Sequence, residues 1–392
     1  MSCIPINDFS LITLCDATKA GKLYSIVPDS GAGDFDVSRN SSATVLDKDG
    51  KIKRIGANVP AVGFNFDGSY KGLYIRSSLT NLFRDSEPAT DPGQGTRNNV
   101  TFDANDWGIG LDGKVTVDNQ GGTVNAQYTN VSGTTSETLT VVSAIVRRVD
   151  GQPPVERLQA ASLVDTDFAL LAGGIGTAAT LGSSTDSFNF KDDLWFVRKI
   201  FISSGVTAGT YGVYKASNYS ENTVEVSAIM VVQGDVDLTI QDYIRTTGST
   251  ATRPADVITK TAASALIGQT EGVIQLQADL ITSGLNQTIS ELYNDTDNYI
   301  NIRKNTSNEI VATLVVAGSI VGTVTSSVQT SGKKDITFSY QTGTCTLTVN
   351  GVDTTATATD VPTADKIKLG SRQNNTEFWN SHIQVKSLRP QL

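Results

Sequence analysis

The clearest pattern along the chain is an alternation of apolar and polar residues between positions 333 and 358. In the sequence KKDITFSYQTGTCTLTVNGVDTTATA, two successive runs have an apolar residue at every second position, namely Ile336, Phe338 and Tyr340, then Cys345, Leu347 and Val349. A period of two is typical of β-strands with one buried face. The pattern therefore predicts antiparallel strands in a sheet that is covered on one side.

The turns between these strands support the same register. Asn350-Gly351 is the strongest short hairpin signal, because a type I′ turn needs positive φ at both central positions. Residues that flank a two-residue loop share a face, and here they are the apolar pair Val349 and Val352. The loop at 342–343 is flanked by two polar residues instead. Both turns therefore predict three strands with one common buried face.

Similar patterns with longer loops occur further upstream. The segment DLWFVRKIFI is apolar on both faces apart from Arg198 and Lys199, which predicts a central strand covered on both sides. No helix of ordinary length is indicated. Strands of the central region are expected at 113–118, 123–130, 136–149, 193–202, 209–217 and 223–232.

These patterns predict an all-β fold in three parts. Residues 1–84 are less regular and contain a hairpin around Asp49-Gly50, so we expect a small N-terminal β module there. Residues 85–250 are expected to form an antiparallel jelly roll, and residues 251–392 an antiparallel β-sandwich. The second boundary falls in TTGSTATRPADV at 246–257, where small polar residues lead into a proline.

Charge and hydropathy exclude two classes of partner. The formal net charge is −9 with no long basic run, which disfavours binding to nucleic acid. The most apolar stretch, EIVATLVVAGSIVGTVTSSV, contains Gly, Ser and Thr throughout, whereas a membrane span needs about 20 mostly apolar residues. We interpret that stretch as two strands around the turn at 317–319, and we expect no membrane insertion.

The start of the chain and the cysteines indicate where the protein is made. MSCIPINDFSLITLC lacks a basic n-region, so no secretory signal is expected. Cys3, Cys15 and Cys345 are scattered and suggest neither a disulfide framework nor a metal cluster. We therefore expect synthesis in a reducing cytoplasm. Cys345 alternates with apolar residues and is expected to be a small core residue.

Candidate catalytic and cofactor motifs are few. His382 is the only histidine, which argues against His-based triads and multi-His metal sites, and a lone strand histidine is typical of a surface or edge position. Gly174, Gly176 and Ala179 resemble a dinucleotide fingerprint, but the following SSTDSFNF is not helical. We therefore interpret that segment as a glycine-rich loop, and we predict no catalytic residue and no organic cofactor.

Two sets of residues are candidates for binding. Asp295 and Asp297 in NDTDNY could offer carboxylates to calcium, although the glycine and distal glutamate of an EF-hand are absent. The alternative is a polar loop between two strands. Sugar rings could stack on Trp107, Trp195, Trp379, Tyr214 and Tyr219, although Trp195 lies in the most apolar strand and better suits a core.

Several segments resemble virion proteins of tailed bacteriophages. In these proteins a strand and a Thr-Asn-Leu tripeptide close an N-terminal module, and a carbohydrate-binding-module-like jelly roll follows. The matching segment here is GLYIRSSLTNLFRDSE, and the preceding FDVSRNSSATVLDKDGKIKRIGANVPAVGFNFDG resembles the end of that module. The match departs at Arg76, where the family more often has Glu. QDYIRTTGSTATRPADV resembles the close of that jelly roll, through Tyr243, Thr246, Thr252, Arg253 and Asp256. The C-terminal region resembles concanavalin-like, laminin-G-type sandwiches: the opening strand is similar to EGVIQLQADL, a mid-domain hairpin to LTVNG and the closing strand to FWNSHIQVKSL.

The resemblance implies a non-enzymatic, peripheral virion protein of tail-fibre, tail-tip or head-fibre type. It implies attachment to other virion proteins through residues 1–84, a homotrimer, and lectin-like domains that bind host surface glycans. Such a protein is made in the host cytoplasm and carried on the virion. The alternatives are a purely structural decoration protein that binds no glycan, and an enzyme that cleaves a polysaccharide.

Overall fold

The computed structural model describes residues 8–13, 18–19, 21–93, 95–132, 139–157, 162–172, 184–202, 209–233 and 238–391. Within these ranges the regular structure consists of β-strands and two short 3-10 helices, Ile240–Asp242 and Ser264–Leu266, without an α-helix. The predicted all-β fold is therefore confirmed. No described helix is long and apolar enough to cross a membrane.

The strands are numbered in chain order. The first nine are β1 (Leu11–Thr13), β2 (Thr18–Lys19), β3 (Lys22–Leu23), β4 (Phe35–Ser38), β5 (Ala43–Leu46), β6 (Ile52–Ile55), β7 (Val62–Phe64), β8 (Tyr70–Ile75) and β9 (Leu79–Asn81). The next ten are β10 (Thr96–Asn98), β11 (Val100–Ala104), β12 (Gly113–Val117), β13 (Ala126–Ser132), β14 (Leu139–Arg148), β15 (Ala169–Ala172), β16 (Ser184–Lys191), β17 (Leu194–Ile202), β18 (Gly209–Lys215) and β19 (Val224–Gln233). The last twelve are β20 (Ala251–Arg253), β21 (Val257–Lys260), β22 (Glu271–Leu280), β23 (Gln287–Asp295), β24 (Asn298–Lys304), β25 (Glu309–Val316), β26 (Ser319–Val328), β27 (Gly332–Gln341), β28 (Thr344–Val349), β29 (Val352–Ala356), β30 (Lys366–Leu369) and β31 (Ser381–Arg389).

The central region forms a jelly roll of two antiparallel sheets. One sheet has the order β10-β13-β18-β15, and the other has the order β11-β12-β19-β14-β17-β16. Val197 and Phe201 of β17 belong to the core between the sheets, whereas Leu194 and Phe196 pack into a second core on the other face. The strand DLWFVRKIFI is thus covered on both sides, as its apolar pattern predicts.

The C-terminal region forms a larger sandwich. One sheet has the order β29-β28-β27-β22-β31-β8-β7, with β1 also paired to β31, and the facing sheet has the order β2-β3-β4-β21-β30-β23-β24-β25-β26. Both sheets therefore contain strands from the first 75 residues of the chain. Apolar side chains from both ends of the chain share one continuous core, among them Leu11, Phe35, Leu73, Leu276 and Ile383.

The N-terminal part differs from the separate module expected over residues 1–84. Leu73 lies opposite Ile383 in the pairing of β8 with β31, and Val37 lies opposite Ile258 in the pairing of β4 with β21. The short, irregular strands of this segment are completed by partners far along the chain, which an analysis of local pattern does not reveal. Among the described residues of this segment, only the β5–β6 hairpin forms a sheet without strands from elsewhere.

The predicted C-terminal hairpin register is confirmed, with one exception. Asn350 and Gly351 have φ values of 50° and 82°, and Val349 lies opposite Val352. Val349 is buried, but Val352 is 65% exposed. The reason is that β29 is the outermost strand of its sheet, so the covered face ends before Val352. The turn at Ala317-Gly318 also forms as predicted, between β25 and β26.

Candidate functional site

Two segments far apart in the sequence meet in a two-stranded ribbon. β9 pairs antiparallel with β20, which places Leu79 opposite Arg253. The hydroxyl oxygens of Thr80 and Thr252 lie 2.8 Å apart across the ribbon. The chain enters the jelly roll after β9 and leaves it before β20, so this ribbon marks the junction of the jelly roll with the sandwich.

Asn81 connects the ribbon to the jelly roll. Its fully buried side chain accepts hydrogen bonds at Oδ1 from the backbone N–H groups of Phe83, at 3.1 Å, and Val231, at 3.0 Å. Its Nδ2 donates to the carbonyl oxygens of Ile229, at 3.2 Å, and Ile244, at 2.8 Å. Two acceptor and two donor positions exhaust what an Asn amide offers. The asparagine of the Thr-Asn-Leu tripeptide therefore joins three backbone segments.

A buried group of charged residues lies next to the ribbon, and we call it the junction cluster: Arg39, Arg76, Arg253, Asp242 and Asp256. Asp256 is its centre, accepting a hydrogen bond from Arg39 Nη1 at 2.7 Å and one from the backbone N–H of Arg76 at 3.1 Å. Arg253 Nη1 lies 3.4 Å from the same carboxylate. All five residues are at most 6% exposed. Buried charges of this kind require partners, since a desolvated charge is costly alone.

Asp242 forms the second centre of the cluster. The phenol of Tyr74 donates to its two carboxylate oxygens at 3.0 and 2.9 Å, and the backbone N–H of Thr239 donates at 2.9 Å. Burial raises the pKa of Tyr74 well above its usual range, so the phenol remains a donor. Arg76 Nε lies 3.9 Å from Asp242 Oδ1, which is an ion pair without a hydrogen bond.

His382 lies behind this centre and is not the surface or edge residue expected from the sequence. It is 3% exposed, its ring stacks on Tyr74 with centroids 4.5 Å apart, and its Nε2 is 3.2 Å from Gln241 Oε1. The reason is that β31 is an interior strand paired with β8, which the alternation in the sequence cannot show. Burial lowers the pKa of His382 well below its usual value, and the positive charge of Lys71 acts in the same direction.

The junction cluster borders a cavity of about 430 Å³ between the jelly roll and the sandwich, which we call the junction cleft. The almost fully buried side chains in its lining are Tyr74, Arg76, Asp242, Arg253 and Gln287. Thr282 and Leu285 line the cleft as well and are exposed to solvent. The remaining lining consists of Ser77, Leu79, Ile200, Ile281, Ser283 and Asn380. The cleft thus leads from solvent to a charged interior.

Three nitrogen atoms of the arginines that line the cleft have no hydrogen-bond acceptor. They are Nε and Nη1 of Arg76 and Nε of Arg253. The other donors of these side chains are used, since Arg76 Nη2 donates to the carbonyl of Thr44 at 2.7 Å and Arg253 Nη2 to that of Ser77 at 3.0 Å. Burial, helped by the neighbouring Arg76, lowers the pKa of Arg253 to about 10, so it is still protonated at neutral pH.

Trp107, predicted to stack on sugars, is buried. It is 9% exposed, its indole N–H donates to Glu225 Oε2 at 3.2 Å, and the guanidinium of Arg147 lies 5.7 Å from its ring centroid. The ring packs into the second core of the jelly roll. Trp107 is therefore a structural residue, because β19 supplies the acceptor that its indole needs in the interior.

Tyr214 and Tyr219 lie next to each other in the jelly roll. Both are partly exposed, and their rings meet edge to face with centroids 6.1 Å apart. Tyr214 is on β18 of the four-stranded sheet, and Tyr219 follows in the next loop. Neither lines the junction cleft. Their role in glycan binding stays a prediction.

Asp295 is the last residue of β23, and Asp297 lies in the exposed turn between β23 and β24. Asp295 Oδ1 accepts hydrogen bonds from the backbone N–H of Asp297 at 2.9 Å and from Asn298 Nδ2 at 3.0 Å. The bond from Asn298 is the main cause of a lowered pKa of Asp295. Among the described residues, no group of three or more His, Cys, Asp or Glu could hold a metal ion. The carboxylate of Asp295 thus closes its own turn, and calcium binding here stays a prediction.

The other residues singled out in the sequence are placed as follows. Cys345 is fully buried, as its alternation predicts. Trp195 is half-buried against the inner core of the jelly roll, and Trp379 is buried with its indole N–H on the carbonyl of His382. The glycine-rich loop at 173–183 lies outside the described residues, as do Cys3 and Cys15.

No protein-family model and no curated protein matches the chain. Among solved structures it is similar to the CBM40 of Ruminococcus gnavus IT-sialidase, with 15% identity over 32% of this chain and 78% of that chain and a TM-score of 0.28. A toad ovary galectin in complex with thio-digalactose matches at 12% identity over 33% and 97% of the two chains, with a TM-score of 0.25. Domains LG4-5 of the mouse laminin alpha1 chain match at 11% identity over 81% and 89%, with a TM-score of 0.24. These values assign neither a family nor a ligand to the chain.

Proposed function

We propose that this chain is a non-enzymatic, glycan-binding protein that uses the junction cleft as its binding site. The observation that carries this proposal is the cleft itself, which combines an opening to solvent, a volume of about 430 Å³ and a lining of hydroxyl, amide, guanidinium and carboxylate groups. Small-molecule sites typically have volumes of about 300–1,000 Å³ with a few convergent polar groups. Sugars present hydroxyls to such groups and C–H faces to apolar side chains such as Leu79, Ile200 and Leu285.

The proposal extends to a role as a peripheral virion protein of a tailed bacteriophage, of tail-fibre or head-fibre type. The resemblance of the segments around Thr80-Asn81 and Thr252-Arg253 supports it, and these segments form one ribbon beside the cleft. A homotrimer would raise the apparent affinity for repeated glycans, since linked sites gain about 10²–10⁴. Antibody labelling of purified virions in negative-stain images tests the location, and sedimentation at micromolar concentration tests the trimer.

The binding site is tested by filling the cleft. Thr282→Trp places a large side chain on its solvent-exposed lining, and Thr323→Trp places the same side chain on an exposed position of β26 that does not line the cleft. We expect the wild type and Thr323→Trp to bind the same glycans on an array, and Thr282→Trp to lose them.

Three results would contradict this proposal. Binding that persists in Thr282→Trp would move the site elsewhere, for example to Tyr214 and Tyr219. The absence of any glycan ligand for the wild type would favour a purely structural decoration protein. Release of reducing ends from a host polysaccharide would indicate an enzyme instead.

A further inference from the structure

We infer that the ligand of the junction cleft carries a negatively charged carboxylate, so that the protein is specific for acidic sugars. This inference rests on the proposed glycan-binding function. It starts from the charges around the cleft. The junction cluster contains three guanidinium groups and only two carboxylates, all buried. The cluster therefore carries one formal positive charge in excess. Each guanidinium still has a carboxylate neighbour, since Arg39 and Arg253 share Asp256, and Arg76 lies beside Asp242 and over the ring of Tyr74.

A second buried cation lies behind another part of the lining. Lys304 is fully buried, and its Nζ donates at 2.8 Å to Ser283 O, Ser283 Oγ and Leu285 O. Both acceptor residues line the cleft, and neither carries a charge. Burial alone lowers the pKa of Lys304 to about 8, so the ammonium is mostly charged at neutral pH. The positive charge around the cleft is thus larger than the cluster alone provides.

The hydrogen-bonding capacity leads to the same conclusion. Arg76 and Arg253 both line the cleft, and three of their guanidinium N–H positions have no acceptor. The carboxylate in the lining, Asp242, is already engaged by Tyr74 and Thr239. These three nitrogens are almost completely covered by neighbouring atoms, so a ligand reaches them only when the lining shifts. A buried guanidinium with unused donors is costly, and a carboxylate that enters in this way would supply the missing acceptors in charge-assisted bonds. Arginine forks match the geometry of a carboxylate particularly well.

The geometry of the lining favours an acidic sugar over a simple anion. The lining has two zones, since the charged side chains are buried, whereas Ser77, Thr282, Ser283 and Asn380 are partly or fully exposed to solvent. A ligand with a single negative group and several hydroxyls would therefore reach both zones at once. Inorganic phosphate would use only the inner zone.

The test compares acidic glycans with their own methyl esters. The probes are a panel of hexuronate- and sialic-acid-containing oligosaccharides, each measured alongside its methyl ester, which keeps every hydroxyl and loses the charge. For the wild-type full chain we expect at least one acid to bind about tenfold or more tightly than its ester, as charge-assisted bonds to arginine predict. Equal binding of acid and ester would overturn the inference while leaving glycan binding in place.

Variants assign the effect to the cleft. Arg253→Gln should lower the affinity for the acid to that for the ester. The control Lys53→Gln removes the same charge from an exposed position of β6 outside the lining, and it should change the affinity for the acid by less than about twofold. If Arg253→Gln fails to fold, the comparison of acid and ester binding by the wild type still decides whether the ligand needs a negative charge.

A further arm uses inorganic phosphate as competitor. Displacement of the acid by phosphate at the same concentration as the acid would overturn the assignment to a carboxylate sugar. Binding of no glycan at all would refute the proposed function, and the inference with it.

Discussion

Replacing Asn81 with Ala should destabilise the protein strongly, because this amide satisfies four buried backbone groups. The N–H groups of Phe83 and Val231 and the carbonyls of Ile229 and Ile244 would each lose the partner described above. A buried polar group left without a partner costs about 1–3 kcal/mol. The two N–H groups alone should therefore lower the free energy of unfolding by about 2–5 kcal/mol, allowing for partial relaxation.

The assay is equilibrium unfolding in urea, followed by tryptophan fluorescence and far-UV circular dichroism. Thr80→Ala is the matched control, because Thr80 precedes Asn81 and its only described side-chain hydrogen bond is the exposed one to Thr252. It should change the free energy of unfolding by less than about 1 kcal/mol. A loss below 1 kcal/mol for Asn81→Ala would refute the reasoning, since it would mean that water or local rearrangement replaces these bonds.

Gly351→Val should lower the stability of the sandwich by about 1–3 kcal/mol, because the φ of 82° at this position is strained for a β-branched residue. Gly351→Asn is the control, and equal thermal stability of the two variants would contradict the strained turn. Lys215 is fully buried, and burial lowers its pKa from 10.5 to about 8, so the unfolded chain binds more protons between these values and stability should rise with pH there. In urea titrations, the free energy of unfolding of the wild type should rise by about 2–3 kcal/mol relative to that of Lys215→Met between pH 7 and pH 10.5. Lys304 titrates in both proteins, so its contribution cancels from this difference. A difference that stays constant with pH would show that Lys215 does not titrate in this window. The Cε1–H resonance of His382, the only histidine in the sequence, should not shift between pH 7.5 and pH 5.5, because burial lowers the pKa of the ring well below 6.5. A titration midpoint near pH 6.5 would show that the ring is in water. Deletion of residues 1–84 should prevent folding of the sandwich, which circular dichroism would show, because it removes strands from both sheets.

The parts of the fold that depend on neighbouring residues could be predicted from the sequence. The Asn350-Gly351 hairpin, the turn at 317–318 and the doubly covered β17 all depend on alternation and turn chemistry within about 20 residues. Val352 shows the limit of this approach. Its register was predicted correctly and its burial was not, because burial depends on how far the facing sheet extends.

The junction cluster could not be predicted in the same way. Asp256 bonds to Arg39 across 217 positions of the sequence, and Asp242 bonds to Tyr74 across 168 positions. Single charged residues between polar neighbours look like surface residues, and only the tertiary fold brings them together. The resemblance to virion proteins did single out Arg76, Arg253 and Asp256, although it gave no reason for them. The structure supplies a physical reason, since the three residues meet around one buried carboxylate.

The segment at 71–87, where the chain passes from the sandwich to the jelly roll, explains why the cleft lies where it does. β8 belongs to the sandwich and Asn81 is fixed to the jelly roll, so only a few residues separate two different cores. The chain returns through β20 beside its own entry point, and the jelly roll is therefore inserted into the sandwich through a single two-stranded ribbon. The space left beside the ribbon is the junction cleft, and the charged residues that fix both crossings of the chain become its interior lining.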